Sequence, residues 1–179
     1  MRLGRLVPAA IAGFLLPSCG YSLVGRGIAT DPSIKRIGVP VFKDATGTPN
    51  LDQKVTAKVI EELLKRGRFN VVQETEGVDA VVDGEIMRYT PTPIGFSQQG
   101  AAGSTSTQAS RYAITMTARV RFAKVGVAEP LWQSDAVTAR DETDVGDSSA
   151  EFFDRDEQVV ERLAATFARS LVAAMLEAF

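Results

Sequence analysis

The sequence predicts an α/β two-layer sandwich: a mixed four- to five-stranded sheet with two amphipathic helices on one face. Three observations carry that expectation. In "RYAITMTARVRFAK" Tyr112, Ile114, Met116, Ala118, Val120 and Phe122 alternate with Arg111, Thr115, Thr117, Arg119 and Arg121, as in a half-buried strand. Leu51, Val55, Val59, Ile60 and Leu63 recur at helical spacing between two β-branched runs. A longer apolar stripe, Phe152, Val159, Val160, Leu163, Phe167, Leu171, Met175 and Phe179, marks a second helix at the end.

Taken in chain order, residues 1–18 read as an export leader. Arg2 and Arg5 form its positive end and Leu6–Leu16 its apolar stretch. That stretch falls short of the ~20 apolar residues needed to span a bilayer. It ends in Leu16-Pro17-Ser18-Cys19, which resembles a bacterial lipobox, with Cys19 as the lipidation site. By that resemblance the leader is cut before Cys19 and the thiol and new amine are acylated, with palmitate-type chains. Cys19 is the one cysteine in 179 residues, so no intramolecular disulfide can form. Residues 19–32, rich in Gly and small polar groups, read as a flexible tether, and 33–179 as a single α/β domain.

"SIKRIGVPVF" predicts a buried strand through Ile34, Ile37, Val39 and Val41, and "KDATGTP" the turn after it. Asn50 and Gln53 fit a capping box for the first helix, and Gly67 stands where a helix C′ glycine belongs. "RFNVV" starts a second strand, so a crossover between parallel strands is expected. "AVVDGEIMRY" gives a third strand with Val82, Gly84 and Ile86 on one face, and "LWQSDAVTARDE" a last one. Ser148 and Glu151 fit a capping box for the terminal helix.

Thr90–Ser110, "TPTPIGFSQQGAAGSTSTQAS", has no charge in 21 positions and no periodicity, and reads as a long structureless loop. It is either a floppy hairpin tip or a neutral segment suited to a confined polar space, such as a barrel lumen. Ile94, Phe96, Gln98 and Gln99 are its candidate lumen contacts.

Composition excludes several chemistries. With no histidine there is no Ser-His-Asp triad and no histidine metal ligand, so no enzyme activity, metal or cofactor is expected. A formal net charge of −2 offers no footprint for nucleic acid. Removing the leader's two arginines leaves 18 basic against 22 acidic residues, so an anionic ligand needs a local basic patch. The acidic run from Asp141 to Glu157 lacks the spacing of a calcium loop and lies around a helix start, where carboxylates favour the dipole. Arg111, Arg119, Arg121 and Lys124 are the candidate phosphate contacts, the three arginines sharing one strand face. The same residues serve equally as outward-facing arginines that limit aggregation.

The order and spacing of these pieces carry a resemblance. "CGYSLVGRG", "IGVPVFKDATGTPNLDQKVTAKVIEELLKRGRFNVV", "DAVVDGEI", "SRYAITMTARV", "LWQSDAVTARDE" and the closing helix together resemble the LPS-assembly lipoprotein LptE family over the mature chain. The resemblance implies a lipid-anchored outer-membrane protein facing the periplasm, the plug and scaffold of the LptD β-barrel, contacting lipopolysaccharide directly. "VPVFKDATG", the helix and "GRFNVV" also look like the N-terminal modules of TolB and CsgG-like proteins. That alternative implies an envelope lipoprotein binding a periplasmic partner or forming a secretion assembly.

Overall fold

The computed structural model describes residues 32–99, 106–144 and 149–177. The leader, Cys19, the tether up to residue 31 and the Ser148 cap lie outside the described residues. The elements run β1 (Arg36–Gly38), β2 (Lys43–Asp44), α1 (Leu51–Lys65), β3 (Asn70–Val72), β4 (Ala80–Gln99), β5 (Ser106–Lys124), β6 (Trp132–Asp144) and α2 (Ser149–Glu177). They form one mixed sheet of order β3-β1-β4-β5-β6, with β2 also against β4. The expected α/β sandwich is what forms, with six strands among the described residues.

The sixth strand is β2, inside the stretch read as a turn. Lys43 and Asp44 pair in parallel with Glu85 and Ile86, and the Ala45 N–H donates to the Ile86 carbonyl at 3.0 Å. The turn chemistry begins one residue later, where Asp44 Oδ1 accepts from the Thr46 N–H and hydroxyl, both at 2.7 Å. Val41 does not join the core as expected. It is 51% exposed, because the chain breaks at Pro40 and turns this side chain to the helix-free face.

β1 and β3 are parallel, as the strand-helix-strand pattern requires. In α1 the expected Asn50–Gln53 capping box is not made. Asn50 adopts φ 57°, in the left-handed region, and its side chain makes no cap bond. Asparagine tolerates that conformation better than most residues, and here it closes the turn with backbone groups: the Lys54 N–H reaches the Asn50 carbonyl at 3.1 Å. Gly67 behaves as expected, with φ 66° and its N–H on the Leu64 carbonyl at 2.9 Å.

Both helices cover one face of the sheet and share a single core. Leu51, Val55, Val59 and Leu63 of α1 are fully buried, as are Leu163, Phe167, Leu171 and Met175 of α2. Each such side chain is worth ~1.5–3 kcal/mol on burial. Across the helix pair, Lys54–Glu157 (3.0 Å) and Lys58–Glu161 (2.7 Å) tie α1 to α2.

The largest departure from expectation is Thr90–Ser110. Its described residues are all strand: β4 continues to Gln99, β5 begins at Ser106, and the two pair from Ala80↔Lys124 to Gln99↔Ser106. Beyond Arg111↔Asp144, where β6 ends, the pairing continues as a two-stranded arm among the described residues. Four paired positions at ~3.3 Å each extend it by roughly 13 Å.

Candidate partner-binding surface

The helix-free sheet face is built by the period of two in β5. Ile114, Met116, Ala118, Val120 and Phe122 go under the helices, so Arg111, Thr115, Thr117, Arg119 and Arg121 take the other face. Cross-strand register then sets their neighbours. Arg121 lies between Asp83 and Gln133, Thr115 between Thr90 and Arg140, and Thr117 between Arg88 and Thr138.

Two of the three arginines already hold carboxylates. Arg119 pairs with Glu85 (3.7 Å) and Asp135 (3.3 Å), and Arg111 Nε with Asp144 Oδ1 (2.7 Å). The Asp144 carboxylate beside Arg111 raises the affinity of that guanidinium for its proton still further. Arg121 makes no ion pair among the described residues. Lys124 departs from the group: it has the parity of Phe122, faces Ala80 across the ladder, and its Nζ donates to Ser33 Oγ at 2.6 Å. The structure therefore places Arg111, Arg119 and Arg121 on one face and Lys124 apart from them.

At the Arg121 end the face holds a depression of about 400 Å³. Its lining joins Pro40, Val41 and the bare backbone of Gly84 to the charged side chains of Lys43, Arg119, Arg121 and Asp135. Sequence reasoning missed it. The signal was present in Asp83 and Glu85, which alternate with Val82, Gly84 and Ile86 and must point the opposite way.

At the base of the arm Ile94 is 41% exposed, and on the arm Phe96 is 64% exposed and Gln98 exposed as well. Gln99 closes β4 opposite Ser106. Residues 94–99 thus belong to a strand and not to a loop. Of the acidic run, Asp141 receives Arg162 Nε at 2.8 Å and Asp144 receives Arg111, so both serve ion pairs. Among the described residues no cluster of three metal-binding side chains occurs, and no helix is long and apolar enough to cross a membrane.

Solved structures resemble this one at low identity, and those with a TM-score above 0.5 share its fold. The hypothetical protein CT253 from Chlamydia trachomatis matches at 11% identity and TM-score 0.55, over 82% of this chain and 99% of that one. Protein XCC0632 from Xanthomonas campestris matches at 12% identity and TM-score 0.51, over 81% and 85%. The rare lipoprotein B from Shewanella oneidensis matches at 13% identity and TM-score 0.47, over 79% and 93%. No curated protein sequence matches this one. The family described as "LptE: Lipopolysaccharide-assembly" matches residues 34–175, which takes in every strand and almost all of α2. The chain belongs to the LptE family of lipopolysaccharide-assembly proteins.

Proposed function

We propose that the mature chain is an outer-membrane lipoprotein, held through acylated Cys19 and facing the periplasm, that plugs and scaffolds the LptD β-barrel during lipopolysaccharide assembly. The observation that carries this reading, beyond family membership, is the uncharged arm. Its paired segments carry Ser97 and Gln98 on one strand and Thr107 and Gln108 on the other, small polar groups and glutamines, and barrel lumens are polar. Ile94 and Phe96 give the arm apolar contact points. The lipid on Cys19 would hold the domain beside the membrane that contains the barrel.

Glycolipid contact is the finer part of the same proposal. Arg121 would supply a cation that makes no ion pair among the described residues, while Arg111 and Arg119 would exchange carboxylate for phosphate partners, to which the guanidinium fork is equally suited. Lys124 contributes from the other side of the sheet. The CsgG-like and TolB-like alternative rested on the first strand-helix-strand unit, whereas the family match extends through 34–175.

The test is gentle solubilisation of the native envelope and identification of what copurifies with the tagged chain in stoichiometric amount. A single large outer-membrane barrel retained at high salt is the expected result. Homo-oligomers alone, or a soluble periplasmic partner, would contradict it. Ile94→Ser with Phe96→Ser should reduce barrel retention while the isolated protein melts within ~0.5 kcal/mol of wild type, as for most surface changes.

A further inference from the structure

We infer that both long edges of this sheet are chemically closed to strand addition, so that the chain meets a β-rich partner through side chains on its faces. An antiparallel strand turns the N–H and C=O of alternate residues toward each neighbour. In β4, Pro91 and Pro93 oppose Ile114 and Tyr112, so they share one parity, and neither has an N–H. They fit the ladder by pointing their nitrogens away from β5. That direction is the edge along which, among the described residues, no strand pairs once β2 ends opposite Ile86.

The irregularity between Ile86 and Arg88 makes this arrangement possible. Ile86 turns its carbonyl outward, to Ala45. In an unbroken strand the next outward positions would be 88, 90 and 92, and both prolines would face β5. The extra residue, Met87, moves the outward positions to Tyr89, Pro91 and Pro93. Two donors are thereby removed from the edge without loss of a ladder bond.

The β6 edge is blocked at two positions, by different means. With Pro91 turned outward, Ile114 turns its amide toward β6 and Asp141, and Glu142 must then point to the open edge. Both of its backbone groups are occupied. Its N–H donates to Asp141 Oδ1 at 2.9 Å, and its carbonyl accepts from Arg162 Nη2 of α2 at 3.5 Å. The same Arg162 holds Asp141 Oδ2 through Nε at 2.8 Å, so one guanidinium fixes both caps. Farther along, at the irregularity opposite Ala118 and Val120, the Ala136 N–H turns to Ser134 Oγ at 3.4 Å. The β-rich character of the partner rests on the barrel reading above; the closure of the edges does not.

The test uses the full-length lipoprotein in mild detergent. Pro91→Thr with Pro93→Thr restores two edge donors, and Asp141→Ala with Arg162→Ala uncovers Glu142. Sedimentation velocity over a concentration series, with amide hydrogen exchange, is the readout. Wild type should stay monomeric, and each double variant should self-associate at concentrations lower by about tenfold or more. Protection should rise at residues 91 and 93 in the first variant and at Glu142 in the second. Variants that keep the wild-type circular dichroism and remain monomeric, or that associate without edge protection, would overturn the inference. Should the proline variant lose its fold, the β6 variant decides by the same criterion. No barrel takes part, so failure here leaves the plug reading standing, and failed barrel capture leaves the edges standing.

Discussion

The ring of Phe42 fills the space that any side chain at Gly84 would need. Phe42 is 2% exposed and meets Phe167 edge to face, with centroids 6.3 Å apart at 89°. The ring is thus held by both layers and cannot give way. Gly84→Ala should destabilise the domain by ~1–3 kcal/mol through overpacking, measured by urea denaturation. Phe42→Ala should cost ~3–5 kcal/mol. A neutral Gly84→Ala would mean that the Phe42 ring has another place to go.

Thr56 completes the same corner. It is a buried polar side chain whose hydroxyl donates to the Asp52 carbonyl at 2.6 Å and accepts from the Phe42 N–H at 3.0 Å. Thr56→Val keeps the shape and strands the Phe42 N–H without an acceptor. The expected loss is ~1–3 kcal/mol, against a smaller loss for Thr56→Ser, both read by thermal or urea unfolding.

Acid should weaken the fold through Asp79. Its Oδ2 accepts from the Arg36 and Lys35 N–H groups, both at 2.8 Å, and these bonds, Arg36 first, hold its carboxyl below the ordinary value. A depressed native pKa gives stability that is present above the unfolded value of about 3.9 and is lost as pH falls. Glu61, lowered by Lys65 and then Lys58, adds to the same limb. Asp79→Asn should therefore flatten the fall in stability below about pH 4. An unchanged acid limb in a pH series of urea midpoints would contradict this.

The helix-to-helix ion pairs should matter little. Lys58 bridges Glu161 and Glu61, but it lies on the surface with 25% of its side chain exposed. Lys58→Ala should cost only ~0–1 kcal/mol, and the difference should shrink in high salt. Urea midpoints of variant and wild type at low and high salt check it.

How much of this was legible in the sequence depends on burial. β5 and the two helices were readable because each hides one face, which forces a period of two or 3.6 on Ile114–Phe122, Leu51–Leu63 and Val159–Met175. The arm was not readable. At residues 94–98 and 107–110 no side chain is buried on either face, so no alternation is imposed, and Pro91 and Pro93 look like breakers until their outward parity is known. β2 has two residues and leaves no periodicity at all. The arginine row was visible by parity, but the carboxylates that occupy it come from β4 and β6, and register between strands is not written in either strand alone. Lys124 failed the same test of parity, being an even-numbered residue grouped with odd ones.

The central claim is that the arm enters a barrel. A photo-crosslinking residue at position 96, activated in the intact envelope, tests it most directly, because Phe96 is 64% exposed and its replacement disturbs no core. The account predicts one dominant adduct with the LptD barrel, and a much weaker one from position 61 on the solvent face of α1. Adducts from position 96 only with a soluble periplasmic protein or a second copy of the chain would contradict it.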